Sequence, residues 1–474
     1  MPRKKRPEIA LAVRDLLLEV GMKPTKKQKE AFKVIVANLY AAWATRGNPF
    51  LVVPKRSSDY ASGSRQRALY LTYQPTMKAV EVLRGGGFIE YHAGFYTKPE
   101  GRRTRIRATS KLTSLFIKHR FNLTCVELLS FDLVQLRGPK VQGMRGAAID
   151  IRRGVHAASA RPHKASVAKI NAGLASAHID LHLDEETFIR HYISRQDGKK
   201  PLTPPHPLRN RLYRVFNENF NLGGRFYGHW AQGIPRDLRS CIRIDGEPVV
   251  ELDYKAIHPT LLYAERGESF EGEVYLPASY TKEYRPVFKL LMLAAVNAVD
   301  LNSAFKGARH CIHKVLKHTF PECLKDTWLR PAYEALKTMH EPIGGMFFTR
   351  AGLRLQRKDS KIAELVMLTL LDKGVITVPI HDSFLVAQQH EDALREAMLT
   401  CSRAVCGLSI PVDKKHPKDM SQHEVLTDEV CKTAPVMEGG LSSLLLSLSP
   451  PSPVFTAFIG SRPPHPQPDR AAVA

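Results

Sequence analysis

The chain has 474 residues, of which 43% are hydrophobic; this length allows two or three domains with substantial cores and excludes a small peptide-like module. Its 70 Lys and Arg residues outnumber its 46 Asp and Glu residues, and the formal net charge of +24 makes nucleic acid the leading partner, ahead of a basic surface kept for solubility or lipid contact. No segment has the ~18 apolar residues of a membrane span, and the first residues, MPRKKRPEIA, lack the apolar stretch of a secretory signal. We therefore expect no membrane partner and a cytoplasmic protein, nucleoid-associated if the source is bacterial; the sequence leaves the oligomeric state open.

The first 120 residues are predicted to form a helical, nucleic-acid-binding region. Apolar spacing predicts helices within residues 9–46. The segment TMKAVEVLRGGGFIEYHAGFYTKPEGRRTRIRATSKLTSLFI then predicts a helix, a Gly-rich turn, a strand, a second turn, a strand and a helix, an order that resembles a winged helix. In its second strand Arg103, Arg105 and Arg107 alternate with small or apolar residues, which predicts a cationic face for a phosphate backbone. The alternative is a hairpin with an ordinary solvated face.

Three further regions follow along the chain. Residues 121–220 are predicted to be a basic connector with thumb-like helices: 137–169 carry eight Lys or Arg against one Asp and predict a loop-rich strip, and 166–220 are predicted to be helical apart from PLTPPHPLRN. Strands and helices alternate over 221–425, where the motifs are densest. The Ser- and Pro-rich residues 426–474 predict a disordered tail.

Two carboxylates follow apolar runs that predict buried strands. Asp253 lies in VVELDYKAIHP, and Asp382 lies in ITVPIHDSFLV. Phosphoryl and nucleotidyl transfer require divalent cations that activate the attacking oxygen and neutralise the leaving pyrophosphate. Because Mg²⁺ prefers oxygen ligands and keeps several waters, two Asp residues, a backbone carbonyl and substrate phosphates suffice. The pair predicts a site for two Mg²⁺ ions.

A predicted helix between these segments carries two cations on one face. In EYRPVFKLLMLAAVNAVDLNSAF, Arg285 and Lys289 are four residues apart, and Asn297 continues the same face. The surrounding residues are so apolar that the helix is predicted to be largely buried, and charges on a buried helix need a partner. A triphosphate is a suitable partner.

These residues together resemble those of family A DNA polymerases and the related bacteriophage-type single-subunit RNA polymerases. The resemblance covers residues 221–425 and depends on an ordered set: Arg225, Asp253, Arg285, Lys289, Gln356, His381 and Asp382. GGRFYG resembles the segment whose Arg contacts primer-template, DYKAIHP resembles motif A of the palm, and IHDSF resembles motif C. The resemblance implies that Asp253 and Asp382 bind two metals and that Arg285 and Lys289 hold the triphosphate. It also implies that Arg225, Gln356 and His381 contact primer-template.

The sequence departs from the family pattern at positions that bear on sugar choice. His258 stands where the DNA polymerases have a Glu that excludes the ribose 2′-hydroxyl, and Asn297-Ala298 replaces the Tyr-Gly that ends the fingers helix. Ser383 after His381-Asp382 is the RNA polymerase form of motif C. We therefore assign His258 and Asn297 to sugar selectivity and describe the chain as a divergent member.

The expected fold is α+β, a right-hand polymerase core of palm, reduced fingers and thumb with an N-terminal winged-helix-like region. The expected activity is that of a DNA-directed DNA polymerase acting on a DNA primer-template and nucleoside triphosphates. The basic first 120 residues lack the acidic set of a proofreading exonuclease. A compact polymerase of this kind suggests a phage, plasmid or other mobile element. The alternatives are a single-subunit RNA polymerase or primase-like enzyme, and a catalytically silent DNA-binding replication or regulatory protein.

Overall fold

The structure is a computed structural model with a mixed α+β fold. It describes residues 7–44, 49–60, 71–97, 100–122, 132–139, 146–151, 153–193, 202, 205, 209–316 and 319–415. The predicted tail, 426–474, lies outside the described residues. The described residues fall into two compact units, one within 1–131 and 186–208 and the other within 132–185 and 209–450. The domain boundaries expected from the sequence stay predictions.

The first unit combines short strands with four main helices. The helices are α1 (Pro7–Glu19), α2 (Lys26–Trp43), α3 (Tyr73–Gly85) and α4 (Ser110–Lys118). The strands are β1 (Leu51–Val52), β2 (Ile89–His92), β3 (Phe95–Thr97), β4 (Glu100–Arg102) and β5 (Arg105–Ala108). The predicted helices within 9–46 are present as α1 and α2. Between α3 and α4, where two strands are predicted, the structure has four, β2 to β5.

The core of the first unit lies between its helices and a three-stranded antiparallel sheet. The strand order is β1-β5-β2, and β3 and β4 form a separate two-stranded ribbon. Helix α2 begins at a capping box in which the side chains of Thr25 and Gln28 each accept the other residue's backbone N–H. On β5 the side chains of Ile106 and Ala108 are buried in this core, whereas Arg105 and Arg107 are only partly buried.

The second unit holds the other elements. Its helices are α5 (Gly154–Ser176), α7 (Ile257–Glu265), α8 (Arg285–Asn297), α9 (Leu301–Val315), α10 (Asp326–Met339), α11 (Glu341–Gly344), α12 (Gly352–Asp372) and α13 (Glu391–Cys406), with the short α6 (Glu185–Phe188) at the boundary between the units. Its strands are β6 (Val134–Arg137), β7 (Ala148–Ile149), β8 (Ile179–Leu181), β9 (Tyr213–Asn217), β10 (Asn219–Tyr227), β11 (Ile242–Ile244), β12 (Glu247–Tyr254), β13 (Val378–Ile380), β14 (Ser383–Ala387) and β15 (Val412–Lys414).

Strand β12 is the centre of the larger sheet. The order is β13-β14-β12-β11-β8, and β15 also pairs with β12. Asp253 lies directly opposite Ser383 of β14 on one edge of β12 and opposite Asp413 of β15 on the other. The end of β12 that carries Asp253 is therefore enclosed by strands from much later in the chain.

A second sheet brings strand β10 against helix α12. Its order is β10-β9-β6-β7, and the β9–β10 hairpin is interrupted by bulges around Gly223. Gly223 and Gly224 have φ of +71° and +88°, a backbone conformation that favours glycine. A Cβ at Gly224 would lie 2.7 Å from Phe216 Cε1 and 3.0 Å from Ser360 Oγ. The glycine pair lets α12 approach the strand that carries Arg225.

Two local predictions differ from the structure. Helix α5 begins at Gly154, inside the predicted loop-rich strip. Half of its buried residues are small or polar (Ala160, Asn171 and Gly173), which weakens the apolar periodic signal. Tyr213–Asn217 forms a strand rather than a helix, because its residues pair with β6 and β10. Tertiary pairing here outweighs local pattern. None of the helices in the described ranges combines the length and the apolar character needed to cross a lipid bilayer.

We expect Gly224→Ala to destabilise the second unit by about 2 to 4 kcal/mol, because the new methyl group meets Phe216 and Ser360 at a strained φ. Urea unfolding measures the change. The matched control is Gly374→Ala, at φ +76° with nothing within 4 Å of the new Cβ, which should cost only about 1 to 2 kcal/mol. Equal losses in the two variants would contradict the close packing of α12 on β10.

Candidate active site

Asp253 lies on a strand that is buried on both faces. Val250, Leu252 and Tyr254 of β12 are 5%, 0% and 3% exposed and form the apolar face. Glu251 and Asp253 alternate with them and are also buried, at 9% and 7%. A buried acidic face on a central strand needs compensating cations, so this face marks a candidate site.

Asp382 lies in the turn between β13 and β14, next to the residue that faces Asp253. Its side chain is 9% exposed. The preceding residue, His381, has φ +63°, an uncommon backbone conformation for a non-glycine residue that produces the sharp turn. Directly opposed residues of an antiparallel pair have Cα atoms about 4.5–5.5 Å apart, and Asp253 is opposed to Ser383, so the turn that carries Asp382 adjoins the end of β12 that carries Asp253. The His381 ring also contacts Tyr227, with centroids 6.1 Å apart.

Glu251, beside Asp253, has protein partners of its own. Its Oε1 accepts a hydrogen bond from the Arg239 guanidinium at 2.9 Å and one from the Ser383 hydroxyl at 2.6 Å. The sequence makes Arg243 an equal candidate for this pairing, but its guanidinium donates to the backbone carbonyls of Ser240 and Ile242. Glu251 thus anchors the start of β14.

Arg225, Asp359 and His258 form a buried charged cluster. The Arg225 guanidinium donates to the Asp359 carboxylate at 2.5 Å and 3.2 Å, and the His258 Nε2 lies 3.1 Å from the same carboxylate. The three side chains come from β10, α12 and α7 and are 5%, 6% and 7% exposed. The cluster therefore holds three elements together and fixes the orientation of the His258 ring.

Mutual attraction keeps the Arg225–Asp359 pair ionised. Burial alone would raise the pKa of Asp359, but the Arg225 charge and the hydrogen bonds from His258 and Arg225 lower it below its usual range. Burial likewise opposes the charged form of Arg225, but Asp359 more than offsets it and raises the pKa. The charge of Asp382 contributes to the same rise, so the cluster is within electrostatic reach of that carboxylate.

Asp359 is a site residue that the sequence interpretation missed. Gln356 is the residue expected to contact primer-template, but the α12 residue that pairs with Arg225 is Asp359, three positions further on; Gln356 itself is half-buried. Asp359 lies on the buried stripe of α12 with Leu355, Ile362 and Val366. A charged residue on an apolar helical stripe is the signal that identifies it. The contacts of Arg225, Gln356 and His381 with primer-template stay predictions.

A second buried arginine fixes α12 near the same point. The Arg214 guanidinium lies 2.7 Å from the Glu364 carboxylate and donates to the Gly224 carbonyl at 2.8 Å. It also approaches His163 Nδ1 at 3.3 Å, where burial and the Arg214 charge lower the pKa of His163 to about 4. This network joins α5, the glycine bulge and α12.

The two cations of α8 converge on one aromatic ring. Arg285 and Lys289 both approach the Tyr275 ring, at 5.4 Å and 5.6 Å from its centroid. The Arg285 guanidinium also donates to the Glu273 carboxylate at 2.9 Å. Burial would raise the pKa of Glu273, but a backbone hydrogen bond from Tyr275, the Arg285 guanidinium and the charge of Lys255 lower it. The Glu273 carboxylate thus lies beside Arg285 and within the electrostatic reach of Lys255, in surroundings that also suit an anionic ligand.

Asn297, at the end of α8, contacts the start of α12. Its amide donates to the Leu293 carbonyl at 2.8 Å, and its Oδ1 occupies the space that a Cβ at position 352 would need. Gly352 therefore permits this contact. Asn297 has a packing role in the structure, and its part in sugar selectivity, like that of His258, stays a prediction.

The residues present fit Mg²⁺ in their chemistry, since the carboxylate of Asp253 on β12 and that of Asp382 in the adjoining turn supply the hard oxygen ligands that this ion prefers. Within the described ranges no group of three or more His, Cys, Asp or Glu side chains gathers as a metal-binding cluster. A bound ion would draw on Asp253, Asp382 and oxygen atoms from backbone or substrate. The Lys415 ammonium lies 2.7 Å from Asp253 Oδ2, which shows that a cation is accommodated there.

The predicted wing residues belong to the first unit. Arg103 is exposed, and the guanidinium groups of Arg105 and Arg107 lie 5.5 Å and 4.3 Å from the Phe50 ring centroid. Arg107 also pairs with Glu90 at 2.5 Å. The predicted alternation is present, but Glu90 offsets part of the positive charge.

We expect Asp359→Asn to destabilise the second unit by about 3 to 5 kcal/mol, because it leaves the buried Arg225 without its carboxylate. The lowered pKa of Asp359 contributes stability above the unfolded-state pKa of about 3.9, and this contribution is lost as the pH falls through the folded-state value. The free energy of unfolding of the variant, measured with urea at a series of pH values, should therefore fall less steeply toward acidic pH than that of the unaltered protein.

The matched control is Asp372→Asn on the same helix, where an exposed carboxylate pairs with Lys169. Its loss should be under about 1 kcal/mol. A similarly small loss for Asp359→Asn would show that the buried cluster does not stabilise this unit.

Comparisons with known proteins gave little resemblance. No protein-family model matches the chain, and no curated protein matches it. Among solved structures, it is similar to the POL domain of Pol1 from M. smegmatis, in complex with DNA primer-template and dNTP. That similarity covers 87% of this chain and 69% of the other, with 12% identity and a TM-score of 0.29. A similarity of this size does not establish a shared fold.

Proposed function

We propose that the protein is a template-directed nucleotidyltransferase, a DNA-directed DNA polymerase without a proofreading exonuclease. In this proposal the β12–β14 sheet is the palm, α8 belongs to reduced fingers, and the substrates are a DNA primer-template and nucleoside triphosphates. The family A character is inferred from the order of motifs in the sequence.

The observation that carries the proposal is the register of β12 with β14. It brings Asp253 opposite Ser383, the residue that follows Asp382, and both carboxylates are buried. Two buried carboxylates cost stability that apolar side chains would not, so a functional role accounts for them better than packing does. Two-metal nucleotidyl transfer does require such a pair.

The proposed reaction is attack of the primer 3′-hydroxyl on the α-phosphate of the nucleotide, with pyrophosphate as the leaving group. Asp253 and Asp382 would hold Mg²⁺, which would supply Lewis-acid stabilisation of the charge that develops in the reaction. Arg285 and Lys289 bind the phosphates and neutralise the charge of the leaving pyrophosphate. The phosphates take the place of the Glu273 carboxylate at Arg285, since both anions use the same guanidinium.

Sugar choice is assigned to the imidazole of His258. The ring is buried, and its Nε2, 3.1 Å from the Asp359 carboxylate, can donate a hydrogen bond that keeps the ring in a fixed position. A rigid ring beside the nucleotide excludes the ribose 2′-hydroxyl more effectively than a mobile ring does. Preference for ribonucleotides would instead support the RNA polymerase or primase-like alternative, which the Ser383 form of motif C favours.

We expect Asp253→Asn and Asp382→Asn each to lower primer extension at least about a hundredfold, because each removes a metal-binding charge. Extension of a primed DNA template, with deoxy- and ribonucleotides supplied separately, measures both activity and sugar preference. Unchanged extension in either variant would remove that residue from the site.

The control is Asp392→Asn, an exposed acid in the first turn of α13, which should leave extension unchanged. If the unaltered protein binds DNA yet extends no primer with either kind of nucleotide, the catalytically silent DNA-binding alternative is the better account.

DNA binding is assigned to the cationic strand face of the first unit, whose element order and β1-β5-β2 sheet suit a winged helix. Arg103 and Arg105 provide accessible positive charge, and Phe50 holds the guanidinium of Arg105 in place. The net charge of +24 supports a polyanionic partner.

We expect the double variant Arg103→Gln, Arg105→Gln to weaken duplex DNA binding and to reduce the slope of log K against log salt by about 1 to 2. The reason is that binding releases fewer counterions when fewer phosphate contacts form. Fluorescence anisotropy across salt concentrations measures the slope. Arg14→Gln is the control: it removes one positive charge at an exposed arginine of α1, outside the wing, and should leave the slope unchanged. An unchanged slope in the double variant would exclude the wing from DNA binding.

A further inference from the structure

Lys415 is a cation of the candidate site that the sequence interpretation did not include. Its backbone N–H donates to the Glu251 carbonyl at 2.9 Å, which extends the β15–β12 ladder by one residue beyond Lys414. Its ammonium lies 2.7 Å from Asp253 Oδ2, and the two side chains are 27% and 11% exposed. The contact is a diagonal cross-strand pair on the acidic face of β12.

Two of the charges around this pair have partners of their own, and Asp413, which lies opposite Asp253 in the same ladder, is exposed. Glu251, the nearer acid in the ladder, is held by Arg239 and Ser383. Lys414, adjacent in sequence, points to the opposite face and pairs with Glu391 at 2.6 Å. The Lys415 ammonium is therefore directed at the carboxylate to which the proposed function assigns a metal.

An ammonium and a divalent cation compete for the same carboxylate oxygen. Mg²⁺ requires direct oxygen contact at about 2.0–2.1 Å, whereas the ammonium makes a hydrogen bond along the same lone-pair directions. Two positive charges at one oxygen repel each other. Binding of a metal at Asp253 thus requires the ammonium to leave.

We propose that Lys415 is a positioning residue that holds the Asp253 carboxylate in place in the metal-free protein and is displaced when a divalent cation binds. This inference rests on the proposed function, because it takes Asp253 as a metal ligand. Its consequence is that Lys415 lowers the affinity of the nucleotide-free protein for metal, so that occupancy depends on the phosphates that a nucleotide brings.

The test is Mn²⁺ binding to the full chain without nucleotide or DNA, measured from the electron paramagnetic resonance signal of free Mn²⁺. Lys415→Met removes the charge and keeps the length of the side chain. We expect it to tighten Mn²⁺ binding by about two- to fivefold, the size expected when a partly exposed ion pair no longer competes. Lys415→Arg, which retains a cation, should bind Mn²⁺ as weakly as the unaltered protein.

Lys414→Met is the matched control, since it removes the same charge one residue away and should leave the Mn²⁺ dissociation constant unchanged. Circular dichroism establishes that each variant is folded. Mn²⁺ binding that is unchanged or weaker in Lys415→Met overturns the inference, as does equal tightening in Lys414→Met.

Asp253→Asn separates this failure from failure of the proposed function. If Asp253→Asn weakens Mn²⁺ binding but Lys415→Met does not strengthen it, the inference about Lys415 is wrong and the metal site stands. If Asp253→Asn leaves Mn²⁺ binding unchanged, the metal assignment of Asp253 is wrong, and the role of Lys415 is overturned with it.

Discussion

The second unit depends on the burial of one ion pair, Arg225 with Asp359, and on the His258 ring that shares it. Removing two charges from water costs several kcal/mol per ion, and attraction within the pair offsets that cost only when the geometry is good. Apolar side chains of similar volume would stabilise the same contact at least as well. The cluster instead fixes the relative orientation of β10, α12 and α7, because a guanidinium, a carboxylate and an imidazole form hydrogen bonds only in particular orientations.

The glycine bulge and the Arg214 network make that orientation possible. Gly223 and Gly224 bring β10 close to α12, and the Ser360 hydroxyl donates to the Gly223 carbonyl at 3.1 Å. The Arg214–Glu364 pair then holds the helix about one turn beyond Asp359. These attachments oppose sliding and rotation of α12 against β10. The Asp359 carboxylate on α12 also holds the His258 ring.

Local pattern predicted the parts of the site that lie within one element. The strand around Asp253, the cationic face of α8 and the alternation of Arg103, Arg105 and Arg107 all follow from periodicity, which neighbouring residues determine. The partners could not be predicted in this way. Asp359 pairs with Arg225 across 134 residues, so no local pattern links them. Glu273 lies in a connecting segment without periodicity, and Lys415 becomes a partner of Asp253 only through the β12–β15 register.

The order of motifs along the chain identifies the candidate site but not the individual contacts within it. It selected Gln356 on α12, whereas burial and charge select Asp359 on the same helix. It assigned Arg225 to contact with primer-template, and the side chain is 5% exposed and bonded to Asp359. Physical criteria, such as a charge on an apolar stripe, therefore add Asp359 as a site residue that motif order alone does not identify.

The enclosure of β12 by β14 and β15 has a consequence for folding during synthesis on the ribosome. Asp253 is synthesised long before Ser383 and Asp413, the residues that flank it, and Arg225 emerges 134 residues before its carboxylate partner. Contacts this distant in sequence form late, because closing long loops is entropically costly and requires both ends of the chain to be present. The nascent second unit therefore carries unneutralised charge, and no assembled acidic site, until translation has passed β15.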